Sequence, residues 1–137
     1  MVGPWLGRAQ WERDEEMSEN FSDREFYCPC SDSSCSGKRA PHPALPLKLE
    51  VMRQLYGRPI AVNSGVRCPT HNRAVKGVAG SAHETGEAAD LHCSGSRDRM
   101  SLVQAAIKAG IRRIGIAKTF VHVDVSRKHD QDVIWLY

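Results

Sequence analysis

The chain has 137 residues, enough for one hydrophobic core and not for two. Its 41% apolar and 26% charged residues are ordinary for a globular protein, and no window of about 18 apolar residues offers a membrane span, so no membrane partner is expected. The net charge of +3 suits an anionic polymer such as a bacterial wall. It is not gathered into the basic stripe that nucleic-acid binding needs, which excludes that class of partner.

In chain order, residues 1–20 read as a polar leader that turns acidic where a secretory signal needs an apolar stretch, so no export signal is expected. Residues 21–43 are rich in Ser, Cys and Pro and read as a loop-dominated flap. Three of the five cysteines crowd into "CPCSDSSC" as Cys28, Cys30 and Cys35. Three readings stay open: reduced thiols, a disulfide framework with one thiol left over, or a second, structural zinc. That zinc would take Cys28, Cys30, Cys35 and one of Cys68, Cys93 or His42, although C-x-C-x4-C lacks the usual paired knuckles.

Leu45, Leu49, Met52 and Leu55 or Tyr56 recur at helical spacing, and Gly57 stops the run. "PIAVN" (59–63) predicts a short buried strand. "PTHNRAVKG" predicts a short helix with Pro69 in its first turn and Gly77 past its end. "EAADLHC" (87–93) is strand-like. The next helix is capped by Ser96, carries an apolar stripe of Met100, Val103 and Ile107, and ends at Gly110. "RIGIA", "FVHVDV" and "VIWLY" close the chain as three strands. Helices and mostly antiparallel strands in this order predict a single α+β domain.

The chemistry concentrates in "SAHETGEAAD" (81–90) and "FVHVDV" (120–125). Alternation puts Phe120, His122 and Asp124 on one face of the later strand and Val121, Val123 and Val125 on the other. The valine face is core, and stability gives no reason for an imidazole and a carboxylate opposite it. The same rule aligns Ala88, Asp90 and His92, and Gly86 lets the loop turn back so that His83 meets Asp90. Asp90 and His122 side by side, with His83 folded over them, make a two-histidine, one-carboxylate site. That set suits zinc best, and iron or manganese also use it. A catalytic zinc keeps about three protein ligands and one open position.

"SAHETGEAAD" fits S-x-H-x-x-G-x-A-x-D, "FVHVDV" fits a later His-x-Asp strand, and "NSGVRCPTHN" fits S-G-x-R-x-x-x-x-N. In these motifs, and from about Phe21 to Tyr137, the chain resembles the M15 zinc peptidases. These are D-Ala-D-Ala carboxypeptidases, dipeptidases and phage endolysins that share a fold with the Hedgehog signalling domain. The compact ending is most similar to small phage or prophage members. The resemblance implies one zinc peptidase domain over 21–137 and a small, mostly antiparallel sheet flanked by helices. It implies His83, Asp90 and His122 as ligands of Zn2+, and Arg67 as the substrate-facing cation. An arginine there can pair with a peptide carboxylate or steady an oxyanion. Ser81 is expected to bind substrate or orient the loop, and Asn72 to pin the loop behind Arg67.

Many relatives place an acid or histidine two or three residues before the last ligand as general base. Here those positions are Phe120 and Thr119. Asp124 is the nearest replacement, about 7 Å along the strand, with Glu84, Glu87 and His92 as alternatives. The expected function is hydrolysis of peptide bonds in peptidoglycan stem peptides by a monomer. Such an enzyme would be made in the bacterial cytoplasm as a phage or prophage product and act at the cell wall. The rival is a module of the same fold that keeps the metal and binds cell wall or protein without catalysis.

Overall fold

The computed structural model describes residues 20–30 and 40–137. Most of the leader (1–19) and Cys35 lie outside these residues. A one-turn 3-10 helix, Asp23–Phe26, opens the described chain and buries Phe26. Helix α1, Ala44–Tyr56, buries Leu45, Leu49 and Met52 on the face its spacing predicts, and Gly57 ends it at φ 76°. Strand β1 is Val62–Ser64, a little later than expected, with Ile60 buried just before it. Helix α2, Pro69–Ala74, has Pro69 at its start and is capped by Cys68, whose sulfur accepts from the His71 N–H.

Strand β2 is Ala88–His92, helix α3 is Ser96–Lys108, and strands β3, β4 and β5 are Arg113–Ile116, Phe120–Asp124 and Val133–Leu136. They form one sheet in the order β1-β2-β4-β3-β5. All pairings are antiparallel except β3 with β5, which is parallel. The fold class is therefore α+β with a mostly antiparallel sheet. Among the described residues no helix is long and apolar enough to cross a membrane.

Helix α3 corrects one expectation. Met100 and Ile107 are exposed, and the buried stripe is Leu102, Ala105, Ala106 and Ala109. Both stripes have helical period. The alanine stripe lets α3 approach α1 and the sheet closely, and the larger side chains of Leu45, Leu49 and Met52 fill the space between. Ser96 is also not the cap, a place taken by Gly95.

The core lies between α1, α3 and one face of the sheet, where Ala89, Leu91, Ile114, Val121 and Val123 are buried. Because side chains alternate, the opposite face is set by the same register. Ser64 pairs with Asp90, Asp90 with His122, His122 with Gly115 and Gly115 with Trp135. One row of side chains thus crosses all five strands. The next row runs Ala88, Asp124, Arg113 and Val133.

Candidate metal centre

Three donors meet in the middle of the first row. Ligand atoms of His83, Asp90 and His122 all lie within 4.8 Å of one another, and the three residues are 2%, 7% and 4% exposed. Asp90 Oδ1 is 3.2 Å from His83 Nε2 and 3.1 Å from His122 Nδ1. A zinc ion with its usual bonds to nitrogen and oxygen holds tetrahedral ligand atoms roughly 3.3 Å apart. The spacing and the donor set both fit that ion.

Each histidine is oriented from behind. His83 Nδ1 donates to the Gly65 carbonyl at 2.7 Å, which leaves Nε2 as the inward donor atom. His122 Nε2 donates to Asp124 Oδ2 at 2.8 Å, which leaves Nδ1 facing Asp90. The loop carrying His83 is shaped locally. Ser81 Oγ accepts from the His83 N–H, Gly86 takes φ 77°, and the Gly86 carbonyl receives the His42 N–H. Ser81 therefore acts on the loop backbone in this structure.

Arg67 closes the cluster. Its Nε donates to Ser64 Oγ at 3.0 Å, Nη1 to Asn72 Oδ1 at 3.3 Å and Nη2 to Asp90 Oδ2 at 2.8 Å. Asn72 is 1% exposed and also donates to the Val78 carbonyl and to Glu84 Oε2. It ties the Arg67 loop to the loop that carries His83.

Asp124 meets the His122 ring at the nitrogen turned away from Asp90. It lies behind His122, on the Nε2 side, with its side chain 1% exposed. Both oxygens are engaged: Arg113 Nε donates to them at 2.9 and 3.1 Å, and the Ser126 N–H donates to Oδ1. The alternatives Glu84, Glu87 and His92 do not join the group of ligand atoms that His83, Asp90 and His122 form. Glu84 accepts from Asn72 and the Gly80 N–H, Glu87 from Thr85, and His92 is exposed at the end of β2.

Burial raises the Asp90 carboxyl, but hydrogen bonds from His122 and His83 outweigh it and hold the group well below the usual carboxylate range. Burial lowers the His122 imidazole, yet Asp124 and Asp90 pull it upward overall. Burial raises Asp124, and the His122 contact and Arg113 bring it down. A raised histidine stabilises the fold below its unfolded pKa of about 6.5, and that contribution is lost as pH rises through the folded value. Depressed carboxylates stabilise above about pH 4, and their contribution is lost as pH falls through their folded values. Chelator-treated protein should therefore melt higher near pH 6 than near pH 8, whereas zinc affinity should climb over the same interval because the metal displaces the His122 proton. Thermal melts and zinc titrations across that range check both signs.

An aromatic wall went unrecognised in the sequence. The Trp135 and Tyr137 rings stand 5.2 and 6.5 Å from the His122 ring, and Phe120 packs on Tyr137 at 5.1 Å. Period-two alternation through "VIWLY" puts Trp135 and Tyr137 on one face, but nothing local identifies β3 as the neighbour that carries them to the site. Gly115 makes the room, since a Cβ there would sit 2.7 Å from atoms of both rings. Gly115→Ala should push the rings off His122, change tryptophan emission, and cost about 1–3 kcal/mol of stability in a denaturant titration.

The fold and this cluster define a candidate metal-binding α+β domain with a cation and an aromatic wall beside the donors. Residues 19–124 match the Peptidase M15 family, and the chain belongs to that family. It is also similar to a zinc D-Ala-D-Ala carboxypeptidase of Streptomyces albus G, at 44% identity over 68 residues. That match covers 49% of this chain and 26% of the relative, so the chain spans about a quarter of that protein's length.

Proposed function

We propose that the protein is a zinc peptidase that hydrolyses peptide bonds in bacterial peptidoglycan stem peptides, with His83, Asp90 and His122 as the metal ligands. The observation that carries the reading is the convergence of the three donors, each histidine fixed by a hydrogen bond from its far nitrogen. The named activity of the Streptomyces relative supports the substrate class. Zinc held there supplies Lewis acidity toward a carbonyl and acidifies water.

The chain's own residues do the rest. Arg67 is held by Ser64, Asn72 and Asp90, and a guanidinium carries five N–H donors. Nη2 also lies 3.4 Å from His83 Nε2, so the donor left for a peptide carboxylate or a developing oxyanion is the second N–H of Nη1. Trp135 and Tyr137 form an apolar wall beside His122 against which a small side chain such as alanine packs. Ser81 positions the His83 loop through the bond its Oγ accepts from the His83 N–H.

Asp124 is a positioning residue on this reading, not the base. Asp124→Asn should weaken zinc affinity about 10–100-fold, the cost of losing an outer partner of a ligating histidine. A general base would leave affinity intact and lower kcat alone. Zinc titration beside steady-state kinetics separates the two.

The test of the function is hydrolysis of an acyl-Lys-D-Ala-D-Ala tripeptide and its C-terminal amide, followed by mass spectrometry. Cleavage of the free acid and not the amide identifies a carboxypeptidase that reads the terminal carboxylate through Arg67. Cleavage only within intact peptidoglycan identifies an endopeptidase, the activity of a wall-lysing enzyme. No cleavage of any of these by protein with zinc bound favours the non-catalytic module, for which the absence of an acid at Thr119 and Phe120 speaks.

A further inference from the structure

We propose that Cys28, Cys30 and Cys68 form a second metal site, a thiolate site for zinc that clips the N-terminal segment to the loop bearing Arg67. Their sulfurs lie within 4.8 Å of one another, and Cys30 Sγ is 3.4 Å from Cys68 Sγ. Zinc–thiolate bonds of about 2.3 Å place tetrahedral sulfurs roughly 3.8 Å apart. A disulfide needs about 2.05 Å, well short of the 3.4 Å between the Cys30 and Cys68 sulfurs. Cys28 and Cys68 are buried, and the three make a small cluster of their own, apart from the main core.

Backbone N–H groups already point at the sulfurs. Cys68 N–H donates to Cys28 Sγ and His71 N–H to Cys68 Sγ, each at 3.4 Å. These contacts fix where the two sulfurs sit. Of the other donors expected for such a site, Cys35 lies outside the described residues, Cys93 is in the main core, and His42 accepts from the Ala44 N–H through Nδ1. Each thiol that ligates releases its proton to solvent, and no electron moves.

The two segments are already in register at this point, because Val66 N–H donates to the Phe26 carbonyl at 2.7 Å. Cys68 directly follows Arg67, and Cys28 and Cys30 come from a segment about forty positions earlier. A metal bridging them would restrain the Arg67 loop at the residue next to Arg67, in addition to the hold of Asn72. The inference does not depend on the His83, Asp90 and His122 reading.

The test is cobalt substitution of the full chain, stripped of metal and kept reduced, with zinc stoichiometry measured by elemental analysis. Wild type should develop a thiolate-to-cobalt charge-transfer band. His83→Ala should keep the band, which isolates this site from the other. Cys68→Ser and Cys28→Ser should lose the band and one zinc ion per chain. Cys30→Ser, at a half-buried position, repeats the test if a buried variant fails to fold. Absence of the band in folded wild type overturns the proposal. So does a Cys30–Cys68 disulfide in zinc-loaded protein, read as the mass of two lost hydrogens.

Discussion

Replacing His83 with alanine should remove zinc from the main centre and end hydrolysis together. His83 supplies one of three donors, and its loop reaches the cluster through a single imidazole held by the Gly65 carbonyl. Losing an outer partner of a ligand costs up to about a hundredfold in metal affinity. Losing the ligand should cost more than that. Among the described residues no other donor joins His83, Asp90 and His122, and Glu84, the next residue, is committed to Asn72 and the Gly80 N–H. The fold should survive, because the core between α1, α3 and the valine face does not use His83. Zinc titration and circular dichroism on one preparation check both halves of the expectation.

The second large effect is at Arg67. Arg67→Lys keeps the charge but not the fork that joins Ser64, Asn72 and Asp90 at once. Loss of one donor to a developing oxyanion costs about 10²–10³ in kcat. We expect a fall of that order in kcat/KM for Arg67→Lys, with zinc still bound through the three ligands. Arg67→Met also leaves Asp90 short of its partner at 2.8 Å, and breaking a buried ion pair costs about 3–5 kcal/mol. Its melting temperature should therefore fall as well. A variant that melts lower but keeps wild-type kcat/KM would assign Arg67 to structure alone.

Some of this was legible in the residues because the rules involved are local. Alternation in "FVHVDV" separates the valine core from His122, and Gly86 marks the turn that brings His83 back to Asp90. The pairing of Asp90 with His122 follows once β2 and β4 are neighbours. What was not legible depends on partners distant in sequence. Alternation tells that Asp124 shares the face of His122, but not that Arg113 on β3 and the far nitrogen of His122 take up its carboxylate. Trp135 joins the site only because β5 runs parallel to β3 and meets Gly115. Cys68 meets Cys28 and Cys30 across a separation no spacing rule spans. In α3 two stripes of equal period competed, and the closeness of α1, a tertiary fact, favoured the alanines.

The measurement that tests the central claim most directly is digestion of purified sacculi by zinc-loaded protein, with His83→Ala as control and released peptides identified by mass spectrometry. The account predicts new peptide termini from the wild type that are absent from the control and from chelator-treated protein. Release of nothing by protein carrying zinc on His83, Asp90 and His122 would contradict it.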